Sequence, residues 1–376
     1  MTSLSVNGNL FALSVERGTV AVDFSNELFN ERLFVSSTKL EKGNVEVQDG
    51  NISLACCAFS PGPKYLAFCF HKELCVHEIN SWQLVCKKEL KRAASSVLFS
   101  PKTDKLVVAD KSGDVYLFNF EKIQEEEGHL LLGHVSMILD VLITQDERFI
   151  LTCDRDEKIR VSRFPDSYII QSFCLGHKEF VMTMTLLSHN EKLLVSGSGD
   201  GTIRIWDFID GRQSLVHDCS EVIIDGNDNS QSPAVLKIAS LKLDENSSLL
   251  CATFRNFSGM LVYKILSEHG NILSVAHQVV KLVSEPITMC LNKSRDDVWI
   301  IEQGFIASLY KIDNKELVAF STSEVDKVNS VLKKYPNVFC KQFSPSKMIE
   351  SFYKKNFDNM EDYLKRKMDR LEQNNK

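Results

Sequence analysis

Residues able to do acid–base or nucleophilic work gather in one stretch of the chain. Gly133-His134 precedes Thr152, Asp154 and Asp156, while Gly176-His177 precedes Ser196, Asp200 and Trp206. A motif search would read such sets as catalytic, because a base beside a hydroxyl is how a nucleophile is activated. The neighbouring motifs give that reading no support. Gly197-Ser198-Gly199-Asp200-Gly201 resembles a phosphate loop but lacks the lysine that reaches the phosphates, and a strand pattern follows it rather than a helix. The 9 histidines form no His-Glu-x-x-His pair, and no Gly-x-Ser-x-Gly elbow occurs. Carboxylates crowd at Asp154, Asp156 and Glu157, yet Arg155, Lys158 and Arg160 interleave with them. Mixed charge of this kind suits the complementary face of a partner better than an acid/base pair with raised pKa values. The chain is therefore expected to bind, not to catalyse by itself, and to carry no cofactor or metal of its own.

Bulk properties are those of a globular protein. Hydrophobic residues make up 44% and charged residues 25% of 376 positions, enough for a sizeable core. The formal net charge of −6 argues against a chain that coats phosphates over its whole surface. No apolar run approaches a membrane span, no membrane partner is implied, and Met1-Thr2-Ser3-Leu4 lacks the basic and apolar regions of a secretory signal. The 11 cysteines are dispersed, without Cys-x-x-Cys or zinc spacing, as expected of reduced, mostly buried thiols in the cytosol or nucleus.

The elements that must position these residues come from a repeat. Segments beginning at Val107, Leu151 and Val195 align without a gap at a spacing of 44 residues. Each has an apolar strand, a tight polar turn and a second, alternating strand. The turns are Lys111-Ser112-Gly113, Arg155-Asp156-Glu157 and Gly199-Asp200-Gly201, and Val115/Leu117, Ile159/Val161 and Ile203/Ile205 alternate after them. A hairpin recurring at about 40–45 residues is the signature of a propeller blade. Weaker copies lie upstream (Cys57 to Val76) and downstream (Leu241 to Tyr263, and Ile287 to Tyr310), and Leu10–Leu13 with Val20–Val22 supplies a seventh, partial unit. Open blade edges would template aggregation, so the ring must close. The N-terminal strands are expected to complete the blade formed near residues 287–320.

The unit containing Gly176-His177, Ser196, Asp200 and Trp206-Asp207 resembles the WD repeat, and His134 with Thr152 and Asp156 resembles it with Ser162 in place of the tryptophan. That resemblance implies a structural network of His134, Asp156, His177, Ser196, Asp200 and Trp206, whose polar tips satisfy one another inside the sheet. The expected fold is all-β: a seven-bladed WD-repeat β-propeller over residues 1–325, then a C-terminal helical extension over 326–376. In that extension Ser344-Pro345 and the Asp358/Glu361 capping box are helix starts. Met360, Tyr363, Leu364, Met368 and Leu371 trace one apolar stripe, with Lys365, Arg366, Lys367 and Arg370 beside it as candidate contacts to a partner or to RNA phosphate.

Asp154-Arg155-Asp156-Glu157-Lys158-Ile159-Arg160 lies outside the general WD pattern. It resembles, together with Val107–Tyr116, Gly133–Ser162, Ser172–His177 and Asn356–Lys365, the non-catalytic WD-repeat subunit of tRNA (guanine-N7)-methyltransferase. The resemblance is dense over residues 100–210. It implies an accessory subunit that holds and stabilises a separate Rossmann-type catalytic subunit, which binds S-adenosylmethionine and methylates a guanine of the tRNA variable loop. It further implies that Asp154, Arg155, Asp156, Glu157, Lys158 and Arg160 face that subunit in a heterodimer, that tRNA is met through the complex, and that the setting is nuclear with a possible cytoplasmic share. The competing expectation is a general WD-repeat scaffold such as a ubiquitin-ligase substrate receptor. Trp206-Asp207 is followed by Phe208-Ile209, without the arginine such receptors often carry.

Overall fold

The computed structural model describes residues 2–25, 30–35, 55–223, 233–268, 271–339 and 349–354. Seven antiparallel sheets of four strands follow one another along the chain, each built from four consecutive strands. These are blades I (residues 3–35), II (55–89), III (94–133), IV (138–174), V (181–218), VI (235–281) and VII (286–319). The first strand of each blade touches the first strand of the next, and Pro286–Asn292 of blade VII touches Ser3–Asn7 of blade I, closing the ring.

Burial explains why the second strands are nearly continuous apolar runs. Leu10–Val15, Phe149–Asp154, Ser247–Phe254 and Asp297–Glu302 are buried at every position, because neighbouring blades cover both faces of the sheet. Outer strands are more exposed, as in Ile170–Cys174 of blade IV, where only Cys174 is buried. Each of seven apolar clusters sits at one blade–blade seam: Val107, Val115, Leu132, Ile138 and Ile150, for example, fill the seam between blades III and IV. The described cysteines are free thiols and most are buried.

Ring closure differs from the expectation. The N-terminal strands do not complete the last blade; Ser3–Asn7, Leu10–Val15, Gly18–Asp23 and Asn30–Val35 pair only with one another, and blade VII is complete from residues 286–319. Two other devices join the ends. Asn292 Oδ1 accepts from the Gly8 amide at 3.0 Å, and Asn292 Nδ2 donates to the Gly8 carbonyl at 3.1 Å. The helix Ser323–Lys334, capped by Thr322, then buries Val325, Val328, Val331 and Leu332 in the seam with Phe11, Val20, Trp299 and Leu309. Asn329 bridges the backbone of Ala307 on blade VII, and Lys334 pairs with Glu31 on blade I. A strand swap becomes unnecessary once a helix seals the seam from outside. The first residues of the C-terminal extension therefore belong to the ring's own core.

Candidate partner-binding surface

The turns between second and third strands all project from one end of the ring, here the upper end. In blade IV this turn is built by Asp154, whose Oδ1 accepts from the amides of Asp156 (2.9 Å) and Lys158 (3.0 Å). Its Oδ2 meets His134 Nδ1 at 2.9 Å, and His134 Nε2 meets Thr152 Oγ1 at 2.7 Å. Asp110, at the equivalent place in blade III, accepts from Ser112 and Asp114 in the same way. An aspartate that ends a strand and receives the amides of the next residues pre-forms the turn.

This geometry corrects two expectations at once. Asp156 is not the acid of the blade IV network, and Asp154 is not part of an exposed charged turn: it is 2% exposed and is itself the network acid. The 44-residue register equates Asp156 with Asp200, but blade V has Ser198 where blade IV has Asp154. There the aspartate has moved two residues onward, and Ser198 Oγ accepts from its amide at 3.1 Å. The shared place of Asp110 and Asp154 in the repeat is the sequence signal that identifies the turn-building acid.

In blade V the expected set does assemble. His177 Nδ1 meets Asp200 Oδ2 at 3.0 Å and Nε2 meets Ser196 Oγ at 2.8 Å, while Trp206 Nε1 donates to that hydroxyl at 2.8 Å. Asp200 also accepts from the amides of Lys178 and Thr202. His177 and Trp206 are buried, so the serine hydroxyl is already committed to two ring nitrogens, and the set works as a latch between layers of the sheet. Burial pushes Asp200 upward, but the His177 bond and the bonds from Thr202 and Lys178 outweigh it and hold the carboxyl below its ordinary range. Burial lowers the pKa of His177, and likewise those of His77, His189 and His217. Such imidazoles bind a proton more readily in the unfolded chain. Stability is therefore greatest above the ordinary histidine pKa of about 6.5 and falls as pH drops through it. The melting temperature should decrease steadily from pH 7.5 to pH 5.5; a flat profile would show that these histidines are not buried neutral.

The exposed part of the blade IV turn is Arg155, Asp156, Glu157 and Lys158, with Arg155 and Lys158 most exposed. Glu157 has φ +72°, a left-handed conformation that L side chains avoid. The equivalent positions in blades III and V are Gly113 (φ +100°) and Gly201 (φ +78°). At Gly113 a Cβ would stand 2.4 Å from the His134 carbonyl oxygen, so a side chain is excluded there; at Glu157 there is room for one. Arg160 spends its donors within the chain, on Ser162 Oγ (2.9 Å), the Gly133 carbonyl (3.2 Å) and the Ser167 carbonyl (2.9 Å). It braces the junction of blades III and IV from the strand after the turn.

Two apolar side chains flank this turn and were not singled out from the sequence. Val135, on the connection entering blade IV, is fully solvent-exposed, and Leu175, on the connection leaving it, is 62% exposed. Each stands next to a Gly-His pair (Gly133-His134-Val135 and Leu175-Gly176-His177), and that adjacency was the available signal. Lys365, Arg366, Lys367 and Arg370, with the helix starts at Ser344 and Asp358, lie outside the described residues.

At the ring's centre a cavity of about 180 Å³ is lined by first-strand residues, among them Cys56, Asp140 and Lys237, and by Ile349. Asp140 is committed to the amides of Val141 (3.0 Å) and Met184 (2.9 Å). Among the described residues no group of three or more His, Cys, Asp or Glu could hold a metal ion, and no helix is long and apolar enough to cross a membrane.

A closed ring of seven four-stranded blades with a His–Ser–Trp–Asp latch places the chain among WD-repeat β-propellers. Solved structures agree at the level of fold: a chain of the mitotic checkpoint complex superposes with a TM-score of 0.67 at 10% identity, covering 84% of this chain and 91% of that one. The RRP9 WD40 repeats superpose with a TM-score of 0.63 at 18% identity, covering 80% and 86%. Residues 121–308 match the family described as the tRNA methyltransferase TRM82 WD40 domain. The chain is 31% identical over 335 residues to the tRNA (guanine-N(7)-)-methyltransferase non-catalytic subunit of Xenopus laevis, covering 86% of this chain and 81% of that protein. The corresponding subunits of Danio rerio and Homo sapiens are each 32% identical, covering 85% of this chain and 78% and 77% of theirs. The chain belongs to this family of non-catalytic subunits of tRNA (guanine-N(7)-)-methyltransferase, and its role is accessory rather than enzymatic.

Proposed function

We propose that the chain binds and stabilises a Rossmann-type catalytic subunit through the upper face of blade IV. That subunit binds S-adenosylmethionine and forms N7-methylguanine in the variable loop of tRNA, which this chain meets through the heterodimer, chiefly in the nucleus. Arg155, Asp156, Glu157 and Lys158 are the contact charges, with Val135 and Leu175 as the apolar contacts beside them; Asp154 and Arg160 hold the turn in shape from within. Lys365, Arg366, Lys367 and Arg370 are proposed as further contacts to the partner or to tRNA.

One observation carries the reading. A glutamate occupies the left-handed turn position that blades III and V, in the same 44-residue register, fill with glycine. A non-glycine residue there costs roughly 1–2 kcal/mol, and strain of this kind collects where a side chain is needed for function. A charged turn beside exposed apolar side chains also matches the anatomy of a docking site, with steering charges around a contact that excludes water.

The test is co-expression of the candidate catalytic subunit with and without this chain, followed by co-purification and a tRNA methylation assay. Full tRNA methylation activity is expected only with the chain present. Full activity of the catalytic subunit alone, with no co-purification, would reject the proposal.

A further inference from the structure

Residues 349–354 lie across the upper end of the ring. Ile349 lines the central cavity, and Phe352, 1% exposed, packs edge-on against Phe180 with ring centroids 5.5 Å apart. The Tyr353 ring meets Phe180 at 5.0 Å, and its hydroxyl donates to the Gly199 carbonyl at 3.0 Å. Glu350 pairs with Arg255 on the corresponding turn of blade VI. The segment 349–354 is thus a strap fastened over blades V and VI, and its last residue reaches back to blade IV. Lys354 Nζ donates to Glu157 Oε1 at 2.6 Å, joining residues 197 apart.

The carboxylate assigned above to a partner is therefore already occupied by a cation of the same chain. We propose that Lys354 sets the affinity of this docking surface: it holds Glu157 in the unpartnered chain and yields it when the catalytic subunit presents a cation there. The inference rests on the blade IV reading of the previous section. Competition follows from the chemistry. Lys354 and an incoming lysine or arginine carry like charge and seek the same oxygens, so each weakens the other's hold. Release is local, because Ile349, Glu350, Phe352 and Tyr353 fasten the strap without help from Lys354. The lysine side chain is 48% exposed and that of Glu157 30% exposed, so the pair is solvent-screened and readily exchanged. Asp156 and Glu179 stand close enough to stabilise the ammonium further, and Glu179 is itself pushed upward by burial and then by Glu157. Removing the lysine thus leaves three carboxylates to attract a cation from outside.

The experiment is a titration of the purified catalytic subunit against the full chain and its Lys354→Ala, Glu157→Lys, Glu157→Gln and Glu157→Gln/Lys354→Ala variants, at low and high salt. Lys354→Ala should bind about two- to fivefold more tightly at low salt, mainly through faster association, with the gain shrinking at high salt. In the Glu157→Gln background the gain from removing Lys354 should be largely lost. Melting of Lys354→Ala should match the parent chain, since the strap's anchors remain. Unchanged or weaker binding by Lys354→Ala, with Glu157→Lys still impaired, overturns the place-holder role alone. Parent-like binding by Glu157→Lys overturns the blade IV reading as well.

Discussion

Glu157→Gly should fold as stably as the parent chain, or slightly more so, and should lose about tenfold or more of its affinity for the catalytic subunit. The stability half follows from the backbone. At φ +72° glycine relieves a strain of roughly 1–2 kcal/mol. The loss is one exposed ion pair to Lys354, worth at most about 1 kcal/mol. The two effects nearly cancel, and Gly113 and Gly201 show that the turn accepts glycine. The affinity half follows from removing a charge proposed to face the partner, where a tenfold loss corresponds to about 1.4 kcal/mol. Thermal melting and a binding titration on the same preparation read both. Parent-like affinity at parent-like melting would mean that the strained glutamate serves something other than docking.

Val328→Asp should have the largest effect on stability. Val328 is fully buried in the seam between blades VII and I, against a wall of apolar side chains. Burying a carboxylate among these apolar side chains costs about 3–5 kcal/mol or more. Domains of ordinary stability have only about 5–15 kcal/mol in hand. The melting temperature should fall by about 10 °C or more, with proteolysis beginning in blades I and VII. Lys333→Ala, on the exposed side of the same helix, is the control and should melt like the parent. A small shift for Val328→Asp would show that the Gly8–Asn292 bonds and the apolar blade faces close the ring without the helix.

Much of this protein is legible in its sequence because blade chemistry is short-ranged and repeated. The hairpins at Val107, Leu151 and Val195 use turns of similar length, and their alternation at period two fixes which side chains enter the seams. The blade V latch could be read because His177, Ser196, Asp200 and Trp206 lie within 30 residues of one another in a WD-like pattern. The same regularity misled at Asp156. A constant spacing hides the fact that blade IV ends its strand with Asp154 where blade V uses Ser198, and only the bonds of His134 distinguish the two acids. The left-handed backbone at Glu157 was likewise hidden, although the glycines at 113 and 201 stood in register with it.

What the sequence determined, then, is the repeating unit, the number of blades, and the location of the unusual charged turn. Hairpin pairing, turn-building aspartates and the latch all depend on residues close together in the chain, so composition and spacing record them. The tertiary structure alone decided how the ring closes and what touches the charged turn of blade IV. Gly8 with Asn292 and Glu157 with Lys354 join residues 284 and 197 apart. Such pairs have no period and no local preference. They form only after seven blades have curved the chain back on itself, when the entropy of closing so long a loop has already been met by the burial of the blade seams.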